Sequence, residues 1–167
     1  QIFIALDGKL QIARPKGSRS MLVEELFVDF YQTSLLDDEI VTQVTLPPLP
    51  PRSGIEYIRF SSSSVVDKPS VGVAVRMTLE KSNNTCKTTR VVLGCVGPTP
   101  VRARKAEGLL GGKVVTPELL DEVGAMASQE CSPTEDLRGS ERYKRAVVRT
   151  LVKRAGSKAY ERALNHR

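Results

Sequence analysis

Histidine, tryptophan and cysteine are scarce in this 167-residue chain, which has one His, no Trp and three Cys. The single histidine, His166, stands next to the last residue, which argues against a Ser-His-Asp triad, a Cys-His pair and a multi-histidine metal site. Cys86, Cys95 and Cys131 are an odd number without C-x-x-C spacing, which argues against a disulfide scaffold and a thiolate zinc site. Catalysis by lysine or carboxylate side chains is not excluded, but no spacing of these residues along the chain indicates it.

Long apolar runs are also missing, since no stretch approaches the roughly 18 residues that a membrane span requires. Hydrophobic residues still make up 40% of the chain, enough for the core of one domain or of a small domain with an appendage. The chain opens at Gln1 without an initiator Met or a signal-peptide pattern, which suggests a piece of a longer protein. Together with the unpaired cysteines, these features predict a soluble protein of a reducing, cytoplasmic compartment.

Positive charge is concentrated at the C-terminal end. Residues 138–167 hold ten Lys/Arg against two Glu, a net charge of +8, whereas the first 137 residues carry a net charge of −2. Such a run could contact nucleic acid or an acidic partner. We favour a solvated or protein-docking helix face, because no aromatic stacking platform is interleaved with the bases.

The first 54 residues mix short elements. Asp7-Gly8 stands between two strand-like runs and predicts a β-hairpin, while the spacing of apolar residues over Leu22–Tyr31 predicts two turns of helix. A β-branched segment, Ile40–Leu46, predicts a strand. It is stopped by a proline block that marks a linker, because proline cannot continue a sheet ladder.

The remainder predicts an α+β unit. Strands are expected at Ile55–Ser61, over the alternating segment 71–80 with one buried face, and at Thr89–Val96, which makes an antiparallel three-stranded sheet. Three helices follow and are expected to pack as a bundle. Thr99-Pro100, Thr116-Pro117 and Ser140 provide their N-terminal caps.

Four motifs in order along the chain carry a resemblance. They are T-x-L with E-I-V and L-P between Thr33 and Pro47, D-x-x-x-V-G-V-A-V from Asp67, G-P-T-P-V-R-A from Gly97 with A-E and L-x-G after it, and D-x-R-G-S-x-x-Y-K-R from Asp136. In this order the segments resemble the C-terminal part of the FAD-binding medium subunit of the molybdenum hydroxylases, the family of xanthine dehydrogenase and aerobic carbon monoxide dehydrogenase. Each motif alone is weak, and their order makes the resemblance specific.

The resemblance implies an electron-transfer component of an FAD-dependent oxidoreductase complex. Its flavin would pass electrons from 2Fe-2S clusters of a small subunit to an acceptor, after a molybdopterin-binding large subunit has oxidised the substrate. In this family, glycine-rich loops of an N-terminal half bind the flavin pyrophosphate. This chain contains no glycine-rich loop of that kind, so the missing N-terminal half would supply it. The fold expectation is therefore a remnant of an α/β FAD-binding subdomain over residues 1–47, a proline-rich linker over 48–54, and the α+β domain over 55–167.

Motif position also assigns cofactor-binding residues. Leu35 would pack on the isoalloxazine ring, and Arg59 with the loop that contains Ser63, Ser64 and Asp67 would line the open side of the flavin. Family members commonly carry a basic residue in that loop, where this chain has four serines. Arg59 is close enough in sequence to replace it, since a cation stabilises a reduced flavin.

Each of these residues also has a plainer interpretation. Leu35 could belong to the core, Arg59 could point to solvent, and Asp67 could initiate a turn. Arg102, predicted two residues into a helix, suggests a partner outside that helix. Asp136 and Arg138 predict a charge-assisted pair that ties their loop to the helices. We expect the chain to supply part of an FAD site and to be inactive alone, the alternative being a non-enzymatic module that contacts nucleic acid or an acidic partner through its basic helix.

Overall fold

The computed structural model describes residues 1–61 and 68–166. The chain forms nine strands and four α-helices in these ranges. In chain order they are α1 Ile2–Ala5, β1 Lys9–Arg14, β2 Gly17–Leu22, β3 Phe27–Asp29, β4 Gln32–Thr33, β5 Ile40–Thr45, β6 Ser53–Phe60, β7 Val71–Leu79, β8 Cys86–Gly94, β9 Val101–Arg102, α2 Arg104–Leu110, α3 Pro117–Glu130 and α4 Glu141–Asn165.

The main sheet is antiparallel and has the order β6-β7-β8-β9. It confirms the α+β class, with one short strand more than the three predicted. A second antiparallel sheet has the order β2-β1-β5 and belongs to the first 46 residues, which we call the N-terminal unit. None of the helices in the described ranges is long and apolar enough to cross a bilayer.

The central strand β7 is buried on both faces. Its residues Val73, Val75 and Met77 belong to the large core that the main sheet forms with α2, α3 and α4. Ala74, which alternates with them, belongs to a second core made with the N-terminal unit. The prediction of one buried face was therefore wrong, because the N-terminal unit covers the face that alternation leaves to solvent.

Two local predictions for the N-terminal unit were also wrong. Asp7-Gly8 follows a single helical turn instead of a strand, and the hairpin turns at Pro15-Lys16, between β1 and β2. The segment 22–31 begins with one 3₁₀ turn, Val23–Leu26, and continues as the small hairpin β3-β4. Its helical spacing does not mark a buried face, since Phe27 and Phe30 are exposed.

The helix predictions hold in two of three cases. Thr116 and Ser140 cap α3 and α4 by accepting hydrogen bonds from the N–H groups of Leu119 and Tyr143, each at 3.2 Å. The helix predicted from Thr99-Pro100 starts later, at Arg104. Strand β9 precedes it, because the Ala103 N–H extends the pairing with β8 through a 2.9 Å bond to the Val91 carbonyl.

Most of the bases at the C-terminal end form ion pairs inside the domain. Asp121 of α3 binds Arg149 and Lys153, and Glu56 of β6 binds Arg162 at 2.7 Å and Lys158 at 3.5 Å. Seven of the nine bases that the structure describes in residues 138–166 form ion pairs, and they are Arg138, Lys144, Arg145, Arg149, Lys153, Lys158 and Arg162. The charge that suggested a nucleic-acid surface largely fastens α4 to its neighbours.

Asp7 ties the N-terminal unit to the main sheet. Its carboxylate accepts hydrogen bonds from Arg76 of β7 at 2.6 Å and from Arg90 of β8 at 2.9 Å. These two arginines stand directly opposite each other in the ladder, where like charges repel. Burial raises the pKa of Asp7, but the hydrogen bonds and charges of Arg90 and Arg76 outweigh it, and the net result is a lowered pKa.

Gly54 lets α4 approach the edge strand β6. A Cβ at this position would lie 2.6 Å from the backbone nitrogen of Ala163 and would also strike the Ala159 carbonyl. We expect Gly54→Ala to lower the free energy of unfolding by about 3 kcal/mol, because backbone atoms cannot move aside as a side chain can. Denaturant unfolding measures the change.

Gly108 is the matched control for this substitution. It is exposed on α2, and a Cβ there would meet no atom within 4 Å. Gly108→Ala should therefore stabilise the protein by about 0.5–1 kcal/mol through helix propensity. Equal effects of the two substitutions would contradict the close approach of α4 to β6.

Asp7→Asn should destabilise the protein at neutral pH by about 1–3 kcal/mol, because it leaves the buried Arg76 without its counter-ion. Since folding lowers the pKa of Asp7, its contribution is present above the unfolded-state pKa of about 4 and is lost as pH falls through the folded-state pKa. Urea unfolding at pH 7 and at pH 3 should show the difference between wild type and variant shrinking at low pH. The exposed Asp38→Asn is the control, and a difference independent of pH would refute the assignment.

Candidate functional site

The candidate site lies at the end of the main sheet where β6 ends and β7 begins. Arg59, Gly72 and Gly94 form one row across β6, β7 and β8, on the face that the N-terminal unit covers. Tyr57 precedes Arg59 by two residues and therefore lies on the same face. We call Arg59, Gly72 and Gly94 the glycine row.

The two glycines of this row create a cradle. A Cβ at Gly72 would lie 2.6 Å from Oε1 of Gln1, and a Cβ at Gly94 would overlap the same side-chain amide. The first residue of the chain is thus laid directly on the backbone of β7 and β8. Glycine inside a strand marks such a close approach, and this signal was present in the sequence but unused.

An apolar groove adjoins the cradle. It has a volume of about 270 Å³ and is lined by Gln1, Ile2, Phe3 and Tyr57. Phe3 is 48% exposed, so an aromatic face is open to solvent here. Burial raises the pKa of Tyr57, with a further contribution from Cys95, while the charge of Arg59 acts in the opposite direction.

The predicted site residues can be placed only in part. Leu35 is partly buried and packs on the core of the N-terminal unit, on the same side of the main sheet as Arg59. Arg59 is exposed at the end of β6. Ser63, Ser64 and Asp67 lie outside the described residues. The sequence did not indicate Tyr57, Phe3 or the glycine cradle as parts of this region.

The described ends of the loop are held in place. Ser70 donates its N–H to the Phe60 carbonyl at 2.9 Å, and Arg138 donates Nε–H to the Lys68 carbonyl at 3.2 Å. Arg138 thus connects the last motif of the chain to the segment that follows the predicted flavin loop.

The last motif is organised by a buried lysine. Lys144 of α4 is 2% exposed, contacts Asp136 at 2.8 Å and donates to the Thr134 carbonyl at 2.7 Å. The predicted Asp136–Arg138 pair is present but longer, at 3.5 Å, and more exposed. Lys144 therefore makes the main tie between this loop and the helices, which the sequence analysis did not anticipate.

Arg102 lies in β9 and not in a helix, so its predicted location was wrong. Its guanidinium binds Glu107 of α2 at 2.8 Å and Glu24 of the N-terminal unit at 3.3 Å. These bonds raise the pKa of Arg102, with the hydrogen bond to Glu107 as the main cause. The partner outside the helix is thus Glu24.

Within the described ranges, neither a metal-ligand cluster nor a free pair of glycines for a phosphate-binding loop is present. No group of three or more His, Cys, Asp or Glu there could hold a metal ion. The Gly111-Gly112 pair is unsuited to bind phosphate, because the Gly112 N–H already donates to the Cys86 carbonyl at 2.8 Å.

Comparison with known proteins identifies the kind of domain. The profile of the CO dehydrogenase flavoprotein C-terminal domain matches residues 56–159, and the chain belongs to this family. The resemblance stated from the sequence motifs is thereby confirmed.

Individual relatives agree with this assignment. The carbon monoxide dehydrogenase medium chain of Hydrogenophaga pseudoflava is 31% identical over 95% of this chain and 54% of its own length. The xanthine dehydrogenase FAD-binding subunit of Escherichia coli O157:H7 is 25% identical over 92% of this chain and 52% of its own length. The chain spans about half the length of the curated relatives it matches.

A solved structure shows the same fold. The carbon monoxide dehydrogenase from Hydrogenophaga pseudoflava that lacks the Mo-pyranopterin moiety of the molybdenum cofactor superposes with a TM-score of 0.90 and 32% identity. The alignment covers 96% of this chain and 55% of that one.

Cys95 offers a chemical probe of the site, because it follows Gly94 and is partly exposed, whereas Cys86 and Cys131 are buried. Burial raises the pKa of the Cys86 thiol to about 11, so only about 0.1% of it is thiolate at pH 8. Brief iodoacetamide treatment of the folded protein at pH 8 should therefore alkylate Cys95 first, as mapped by peptide mass spectrometry. Faster labelling of Cys86 would contradict the described burial, and labelling in denaturant controls for peptide recovery.

Proposed function

We propose that this chain forms part of the FAD-binding medium subunit of a molybdenum hydroxylase. In this role the subunit receives electrons from the 2Fe-2S clusters of a small subunit and delivers them through the flavin to an acceptor. A molybdopterin-binding large subunit would oxidise the substrate. The family match over residues 56–159 carries the proposal, and the glycine row beside Tyr57 supports a flavin position at that end of the main sheet.

The residues of this chain fit one end of FAD and not the other. The exposed Phe3, the partly buried Tyr57 and the cation Arg59 suit an aromatic ring system that gains negative charge on reduction. A pyrophosphate needs converging backbone N–H groups, which the paired glycines of the described ranges do not offer. We infer that the phosphate end is bound by a polypeptide segment outside these 167 residues. The FAD site would then be divided between this chain and that segment.

When bound, FAD supplies the redox chemistry, taking up electrons and releasing them to the acceptor. Arg59 would provide positive charge near the ring, and Leu35 would provide apolar contact from the N-terminal unit. The loop with Ser63, Ser64 and Asp67 would line the open side. Arg138 would act as a positioning residue, since it holds the Lys68 carbonyl at the end of that loop.

The basic helix does not support the alternative of a nucleic-acid-binding module. Six bases of this helix and Arg138 of the preceding loop are paired within the chain, and the relatives named above are oxidoreductase subunits. An arrangement of this kind leaves less unpaired charge for phosphate contacts than the net charge of +8 suggests.

The proposal is tested on the full natural polypeptide, purified gently with its partner subunits. We expect absorbance bands near about 370 and 450 nm from oxidised flavin. Molybdenum should be present in the complex by elemental analysis. A complex that carries neither flavin nor molybdenum would refute the proposed function.

Arg59→Gln should lower the midpoint potential of the bound flavin by about 30 mV, or about 1.4 kcal/mol for two electrons, because a cation that favours the reduced form is lost. Redox titration followed at about 450 nm measures the shift. Arg154→Gln is the matched control, since Arg154 lies with Arg59 along the groove between β6 and α4 but belongs to the helix. Equal shifts in the two variants would show a general effect of net charge and contradict the assigned role of Arg59.

A further inference from the structure

A second groove lies at the other end of the main sheet, away from the glycine row. It has a volume of about 500 Å³ and is bounded by the proline linker and by the turn between β7 and β8. Its lining includes Pro50, Pro51, Arg76, Glu80, Lys81 and Lys87. We call it the cationic groove, because three of these residues are basic and one is acidic.

Arg76 is the buried cation of this groove. It is 7% exposed, and its Nη2 is engaged by Asp7. Its Nε–H is fully buried and has no acceptor among the described residues. A buried donor without an acceptor is unfavourable, and an anionic ligand would offset this cost.

Arg52 repeats this feature beside the groove. Its Nε is the other buried side-chain polar atom without a partner in the described part of the chain. Arg52 directly follows Pro51 of the lining, and its guanidinium donates to Oδ1 of Asn84 in the turn that carries Lys81. Two arginines with an unpaired Nε therefore occur at this end of the sheet, Arg76 in the lining of the groove and Arg52 beside it.

Two lysines at the edge of the groove add positive charge, and three apolar residues form part of its wall. Lys81 and Lys87 are exposed, and Lys87 makes a 3.6 Å contact with the partly exposed Glu80. Pro50, Pro51 and Leu79 supply the apolar part. Cavities of this volume suit small molecules, and guanidinium groups bind carboxylate and phosphate oxygens through parallel hydrogen bonds.

We propose that the cationic groove binds a small organic anion. Its carboxylate or phosphate group accepts hydrogen bonds from the Arg76 side of the groove, and its apolar part lies against Pro50, Pro51 and Leu79. The inference is independent of the flavin site, which lies at the opposite end of the sheet.

The test follows the arginine Nε–Hε resonances of the full natural polypeptide by NMR. Inorganic phosphate, succinate or chloride is added at constant ionic strength. We expect a saturable shift of the Arg76 resonance with phosphate, succinate or both. A response to one of the two oxyanions alone identifies the ligand group, and no saturable shift, or the same shift with chloride, overturns the proposal.

The rim lysines provide the variants, because Arg76 also holds Asp7 and its replacement would disturb the fold. The double variant Lys81→Ala/Lys87→Ala should bind the oxyanion about fivefold more weakly, or worse. The matched control is Lys105→Ala/Arg142→Ala, which removes two exposed bases outside the groove and should change the affinity less than about twofold. Equal weakening by both double variants would indicate diffuse attraction by net charge and would overturn the site.

Discussion

Burial of β7 on both of its faces is the constraint on which the rest of the structure depends. One face supports the core with α2, α3 and α4, and the other receives the N-terminal unit. If only the helices covered β7, then Ala74 and the other residues on its opposite face would be exposed to solvent. Because both sides are covered, the N-terminal unit and the helical domain share a single sheet and are not joined by the linker alone.

Charged pairs then set how the layers meet. Asp7 binds two opposed arginines, and Glu24 binds Arg102 and Arg104 across the same interface. On the other face, Glu56 and Asp121 hold the bases of α4. Several bases of the C-terminal end are thus paired with acids of other elements, Asp121 of α3 and Glu56 of β6. This arrangement explains why the charge distribution along the chain is a poor guide to the surface.

The two ends of the main sheet carry different sets of side chains. At one end the glycine row brings the chain's first residue onto the sheet, beside Tyr57 and the cation Arg59. The other end holds two guanidinium groups whose Nε donors remain unpaired among the described residues. A redox site and an anion site on opposite ends would let one rigid sheet support two separate binding events, since β7 and β8 run through both.

The sequence by itself determined the α+β class, the long capped helices α3 and α4, the strand at β5 and the family, because these depend on local caps, on periodicity and on short motifs in order. The tertiary structure alone decided the second buried face of β7, the late start of α2 and the pairing of Lys144 with Asp136. It also decided that the apolar residues of segment 22–31 lie in a hairpin, since a helix of two turns is too short to persist without a partner face. At the candidate site, motif position predicts Leu35 and Arg59, and their roles stay predictions. Glycines inside the strands at positions 72 and 94 indicate a close approach, but the sequence could not show that Gln1 is the residue that approaches, because Gln1 lies more than 70 residues before Gly72 and is brought there only by the fold.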